Sequence, residues 1–197
     1  DNQKELIVLR ESVRARTSVT PVSILVTFVS IFMYIPFMLD LGVTQGRVLL
    51  WAAPISLLML GRGILSRWIN KRLDEYSSRE LTRADWMLRV SSVLNQMTVG
   101  MGIWIVQSPS ANSLILSVFM TLIVAIWSIG LLSNLFSDFR TFIISMPLLI
   151  GETSIFWFLQ GDIGVSIGLS MLMAALLMVL LVRRGTDIFR DSILMRF

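Results

Sequence analysis

One carboxylate in this sequence sits where a carboxylate is expensive. Glu152 lies near the middle of residues 142–159, an apolar run with no other charged side chain. A charged acid at the centre of a membrane helix costs on the order of 3 kcal/mol on insertion scales, so it must be neutral, paired or turned toward a wet cavity. The side chains able to meet it are Asn95, Gln96 and Thr98 in the run 90–107, and Asn134 toward the end of the run 113–136. Such a group can take up and release a proton or bind the polar head of a ligand. It can also act as structural glue, a protonated carboxyl bonded across helices and worth roughly 1 kcal/mol. An intramembrane acid is a functional candidate by default, so Glu152, Asn95 and Gln96 are the first candidate ligand-binding residues.

Aromatic side chains supply the second set. Tyr34, Phe37, Trp51, Trp104, Phe156, Trp157 and Phe158 gather toward one end of the apolar runs. An ordinary interfacial belt accounts for most of them. A subset made of Tyr34, Trp104 and Trp157 can wall a pocket for a lipophilic ligand.

Much other chemistry is absent. The chain has no cysteine and no histidine, which removes disulfides, thiolate or imidazole metal sites, and Cys or Ser-His nucleophiles. Its two lysines, Lys4 and Lys71, lie outside the apolar runs, so a retinal Schiff base has no attachment point. Haem would have to rely on Met or Tyr. The 12 methionines are scattered and read as pliable packing rather than a copper site. No metal, cofactor or catalytic residue is expected within residues 1–197, and nothing points to nucleic acid.

The elements that must position these residues are membrane helices. Of the 197 residues 55% are hydrophobic and 15% charged, and the mean hydropathy is +0.76. That composition is an all-α integral membrane bundle rather than a soluble domain. The N-terminal charged stretch is followed by an apolar run too long for a signal peptide, and no cleavage site follows it. The apolar runs predict six spans, at about 18–39, 48–66, 90–107, 113–136, 142–159 and 163–182. Residues 4–16 read as a short interfacial helix. Residues 67–89 read as a polar loop or short surface helix. Pro36, Pro54 and Pro147 fall inside spans, and Arg62 is expected to snorkel to the nearby interface. No second buried charge is expected, which makes a small transporter the lesser alternative.

Charge placement gives the orientation. Fifteen of the 17 basic residues fall at the N-terminus, in 67–89, in the turn 137–141 or after residue 182, leaving Arg47 and Arg62. The positive-inside rule then puts both termini in the cytoplasm and the turns 40–47, 108–112 and 160–163 outside.

The last stretch carries the output. Residues 163–182 hold no charge, and twenty residues at about 1.5 Å each cover a bilayer core. Gly164 and Gly168 form a GxxxG that allows close helix contact, within the bundle or across a dimer. Beyond Arg183 and Arg184, Phe189, Ile193 and Phe197 recur at every fourth position among charges. This amphipathic stripe needs a partner, and a homodimer seam supplies one. Gly185 and Thr186 are weak helix formers and predict bending at the membrane exit.

Residues 189–197, placed directly after a last span, resemble a junction of bacterial hybrid sensor histidine kinases. In that family a multi-span module is followed by an Arg-x-Ser-apolar-x-apolar-Arg-Phe stretch and a coiled coil. Arg190, Ser192, Ile193, Met195, Arg196 and Phe197 stand at the matching positions. The resemblance covers about a dozen residues, and membrane-anchored diguanylate cyclases share similar junctions. It implies a six-span sensor module of the bacterial inner membrane, dimeric, whose gene continues past Phe197 into a kinase. The expected partners are membrane lipid, a second copy of the chain and a small lipophilic ligand.

Overall fold

The computed structural model describes residues 2–107 and 113–195, with the side chains of residues 2, 133 and 134 left aside. The expected turn 108–112, the Asn134 side chain and Phe197 therefore lie outside the described residues. Every regular element within them is helical: α1 Asn2–Asp40, α2 Gln45–Arg72, α3 Ser78–Gly100, α4 Gly102–Val106, α5 Ser113–Asn134, α6 Phe139–Met146, α7 Glu152–Phe158 and α8 Asp162–Leu194. A π-helical turn, Pro147–Gly151, joins α6 to α7.

Five helical stretches are long and apolar enough to cross a membrane: Gln3–Asp40, Gln45–Arg72, Ser113–Leu132, Phe139–Phe158 and Asp162–Leu194. Their outward faces carry bare Phe32, Leu57, Ile64, Leu122, Ile129 and Leu177. So much exposed apolar surface is unsustainable in water and ordinary in lipid. The expected span at 90–107 has a different form. Its first half belongs to α3, which begins among charges, and its second half is α4. Met101 stands between them with helical backbone angles, and its N–H still reaches the Met97 carbonyl.

The helices run beyond the apolar core into the charged segments. α1 extends unbroken through 4–16, with Pro21 and Pro36 inside it. α2 reaches Arg72 and α3 starts at Ser78, so the segment 67–89, expected as a polar loop or short surface helix, is mostly the ends of two long helices with a turn around Leu73–Ser77. Val13, Ile69, Leu73, Tyr76, Leu81, Ala84 and Leu88 form a small second core there, which is why the charged segments stay helical. Burial of Tyr76 raises the pKa of its hydroxyl above the ordinary value. Ser77 caps α3 in a capping box with Glu80. Its hydrogen bonds hold the Glu80 carboxyl below the usual range.

The main core is built around Trp51, Ile55, Ile103, Leu116, Met120, Phe142, Leu149 and Trp157. Close backbone approach sets its shape at a few glycines. A Cβ on Gly100 would lie 2.5 Å from the Leu148 carbonyl oxygen, so α3 rests directly on the π turn. A Cβ on Gly102 would lie 2.3 Å from the Trp51 indole nitrogen. Proline inside the span removes a donor, and the wider turn together with α3 packing accommodates the loss.

One end of the bundle is tied by ions. Arg16 is 1% exposed, and it pairs with Asp85 of α3 and, at 2.8 Å, with Asp138 before α6. Arg89 pairs with the same two carboxylates at 2.8 and 3.3 Å. Asp138 also caps α6, accepting from the Thr141 N–H at 3.3 Å and from its hydroxyl at 2.5 Å. Ser12 donates to the Ser137 carbonyl at 3.0 Å, Arg10 to the Tyr76 carbonyl at 3.2 Å, and Arg14 bonds Asp74. The expectation of no second buried charge is thus overturned: two cations and two anions close a neutral cluster across α1, α3 and the α5–α6 turn.

Candidate functional site

Asn95 and Gln96 are brought together with a cation rather than with Glu152. They share a cavity of about 90 Å³ with Arg62, Met59, Thr27, Trp127 and Gly130, enclosed by α1, α2, α3 and α5. Arg62 does not snorkel; it is 6% exposed. α2 continues ten residues past it to Arg72, roughly 15 Å of helix, which is far for the side chain to reach. Its Nη1 instead donates to the buried Ser92 hydroxyl at 2.9 Å. The remaining guanidinium groups, Nε and Nη2, are buried without a hydrogen-bond partner among the described residues, as are the Asn95 and Gln96 side-chain oxygens. No carboxylate stands within ion-pair distance of Arg62 among the described residues. A guanidinium remains charged at any physiological pH, and a buried charge without a counter-charge costs several kcal/mol.

Glu152 opens α7 directly after the π turn. It is half-buried, one of its carboxyl oxygens has no partner, and it does not line the Arg62 cavity. The expected pairing of Glu152 with Asn95 and Gln96 is not made. Thr98 hydrogen-bonds its own helix, at 2.8 Å to the Leu94 carbonyl, and is half-buried.

The aromatic candidates separate into two groups. Tyr34 meets Phe119 edge-on at 5.5 Å, with Phe37 on the same ring at 4.3 Å. Trp104 meets Phe156 at 5.3 Å, and Phe156 meets Trp157 at 5.8 Å. Trp157 is fully buried and donates to the Thr121 hydroxyl at 2.7 Å, so it is a bonded core residue. Trp104 remains 43% exposed, as a belt residue would. None of Tyr34, Trp104 and Trp157 lines the Arg62 cavity.

The residues expected to carry an output turn inward. A Cβ on Gly164 would stand 2.1 Å from the Trp157 carbonyl oxygen, one on Gly168 would stand 2.7 Å from the Phe158 ring, and one on Gly185 would stand 2.0 Å from the Phe136 ring. The GxxxG face is therefore occupied by the chain's own α7, which takes it out of any contact between copies. Gly185 and Thr186 form a docking point, with the Thr186 hydroxyl donating to the Phe136 carbonyl at 3.0 Å, and α8 continues through them. Further along, Ile193 is buried and Phe189 half-buried, while Ile188 is 67% exposed. Residues 164, 168, 171, 175, 178, 182, 185, 189 and 193, spaced by threes and fours, make one stripe of buried or half-buried positions. The Phe189–Ile193 stripe extends this internal seam, and the N-terminal end of α1 stands beside it: Lys4, Val8 and Leu9 line one cavity with Arg190 and Leu194. That neighbour lies far along the chain, so nothing local in the sequence announces it.

The residues missed in sequence are Arg62, Arg16, Asp85, Asp138 and Arg89. Their one available signal was charge close to or within apolar runs, which an interfacial position explains equally well. No protein family, curated protein or solved structure matches the chain.

Proposed function

We propose that this chain is a six-span sensor module of a bacterial cytoplasmic membrane, with both ends in the cytoplasm. It detects a small lipophilic stimulus and relays it through α8 to a histidine kinase output; a diguanylate cyclase could be driven by the same relay. The observation that carries this reading is α8 itself. It is one helix of 33 residues running from an apolar segment into a charged one, and only Gly164, Gly168, Val182, Gly185 and Ile193 along it are buried. A helix held by one narrow seam can rotate or slide between two packings, which is what a relay requires. Pairing with a second copy would use the opposite face, which bears Leu177, Leu180, Leu181 and Ile188. The six-span topology draws support from the ion cluster and the Arg10, Arg14 and Thr186 bonds, which gather the starts of α1, α3 and α6 with the ends of α2, α5 and α8.

Two measurements test this. With no native cysteine, Thr44→Cys is expected to react with an impermeant thiol reagent on intact cells and Ser78→Cys only after lysis. The reverse pattern would invert the topology. With a histidine kinase core fused after Phe197, Ile193→Asp is expected to shift basal autophosphorylation, because it places a charge in the seam beside α1. Unchanged output from a normally folded Ile193→Asp fusion would argue that α8 does not transmit through this seam.

A further inference from the structure

We propose that the Arg62 cavity binds the carboxylate head of a single-chain amphiphile that enters between α1 and α5. This rests on reading the chain as a sensor of a lipophilic stimulus, and it names the ligand class and the site.

The head group follows from the guanidinium. Ser92 occupies Nη1, leaving Nε and Nη2 buried and unpaired. Those two nitrogens form one edge of the guanidinium, with parallel N–H groups spaced for the two oxygens of a carboxylate. A carboxylate there would supply both the missing hydrogen bonds and the missing counter-charge. Asn95 and Gln96 flank the site, and their amides present N–H donors after a half-turn about the last side-chain bond. A neutral ligand would leave the charge uncompensated, and a cation would be repelled.

The tail follows from the walls. Met59, Leu131 and Leu135 are apolar and buried, and Trp127 adds an aromatic face. Val26 of α1 and Ile126 of α5 line the cavity while remaining 57% and 54% exposed, so the mouth opens to the lipid-facing surface. Beside it, a Cβ on Gly130 would meet nothing within 4 Å among the described residues, which leaves room for a chain to thread. Size argues for one tail. A water needs about 10–15 Å³ of such space, so about 90 Å³ admits a small head but not a diacyl glycerophosphate.

The test is equilibrium binding of labelled dodecanoate to the full chain in phosphatidylcholine nanodiscs, with empty nanodiscs as background. One saturable site per chain is expected. Dodecanol and dodecyltrimethylammonium should fail to compete, and acetate should compete only weakly. Arg62→Gln should weaken binding by about tenfold or more, the loss of one charge-assisted contact, with Arg62→Lys retaining part of it. If Arg62→Gln unfolds, Gly130→Leu decides: it keeps the cation, projects into open space and should abolish binding in a folded protein. The proposal is overturned if dodecanol competes equally, if Gly130→Leu binds like the parent, or if acetate displaces the label fully. Complete loss of binding in phosphatidylglycerol nanodiscs would also overturn it, in favour of a resident bilayer lipid. Failure here leaves the α8 relay standing, whereas normal binding combined with an inert α8 would sink the relay alone.

Discussion

Replacing Arg16 by methionine is expected to cost the fold roughly 3–5 kcal/mol, the range found when one partner of a buried ion pair is removed. Arg16 is the innermost member of the cluster at 1% exposure, and it touches both Asp85 and Asp138. Its loss would leave two carboxylates sharing Arg89, which is itself 29% exposed and partly screened by solvent. Asp138 would keep its capping bonds to Thr141 and only the longer, 3.3 Å contact with Arg89. Removing all four charges together is expected to cost far less than removing Arg16 alone, because no unpaired ion then remains. Reversible unfolding in mixed micelles measures both. A change below about 1 kcal/mol for Arg16→Met, the scale of an exposed pair, would show that the cluster is solvated and does not hold α1 to α3.

The helical class and the apolar runs were legible because they depend on local composition. Twenty uncharged residues at 163–182 specify a long helix whatever else surrounds them. The seam on α8 was visible as a period: Phe189 and Ile193 announce a packed face, and nothing local says whether another chain or a distant part of the same chain covers it. The charges were harder still. Asp85 and Asp138 lie 69 and 122 positions from Arg16, and each alone resembles an ordinary interfacial residue. Arg62 was misplaced for a related reason. Snorkelling is the default for arginine near a helix end, but α2 continues well past the apolar run, so Arg62 is interior. Glu152 shows the reverse error: its cost in the membrane was legible, but its neighbours depend on a π turn that shifts its direction, and sequence spacing does not reveal such turns.

The proposed relay requires that α8 transmit its rotational setting. One residue inserted after Arg184 turns everything downstream by about 100°. Phe189 and Ile193 would leave the seam beside α1 and turn outward, while the Gly185–Phe136 docking would be broken or displaced. Seven inserted residues are about two turns and nearly restore the phase, with a residual of roughly 20°. Both insertions lengthen the helix, so a difference between them isolates rotation from reach. The decisive measurement is the autophosphorylation rate of the chain fused after Phe197 to a histidine kinase core, compared among the parent, the one-residue and the seven-residue insertions. The relay predicts that one residue disturbs the rate severely and that seven largely restore it. Equal rates from the two insertions would show that α8 is a tether rather than a signalling helix.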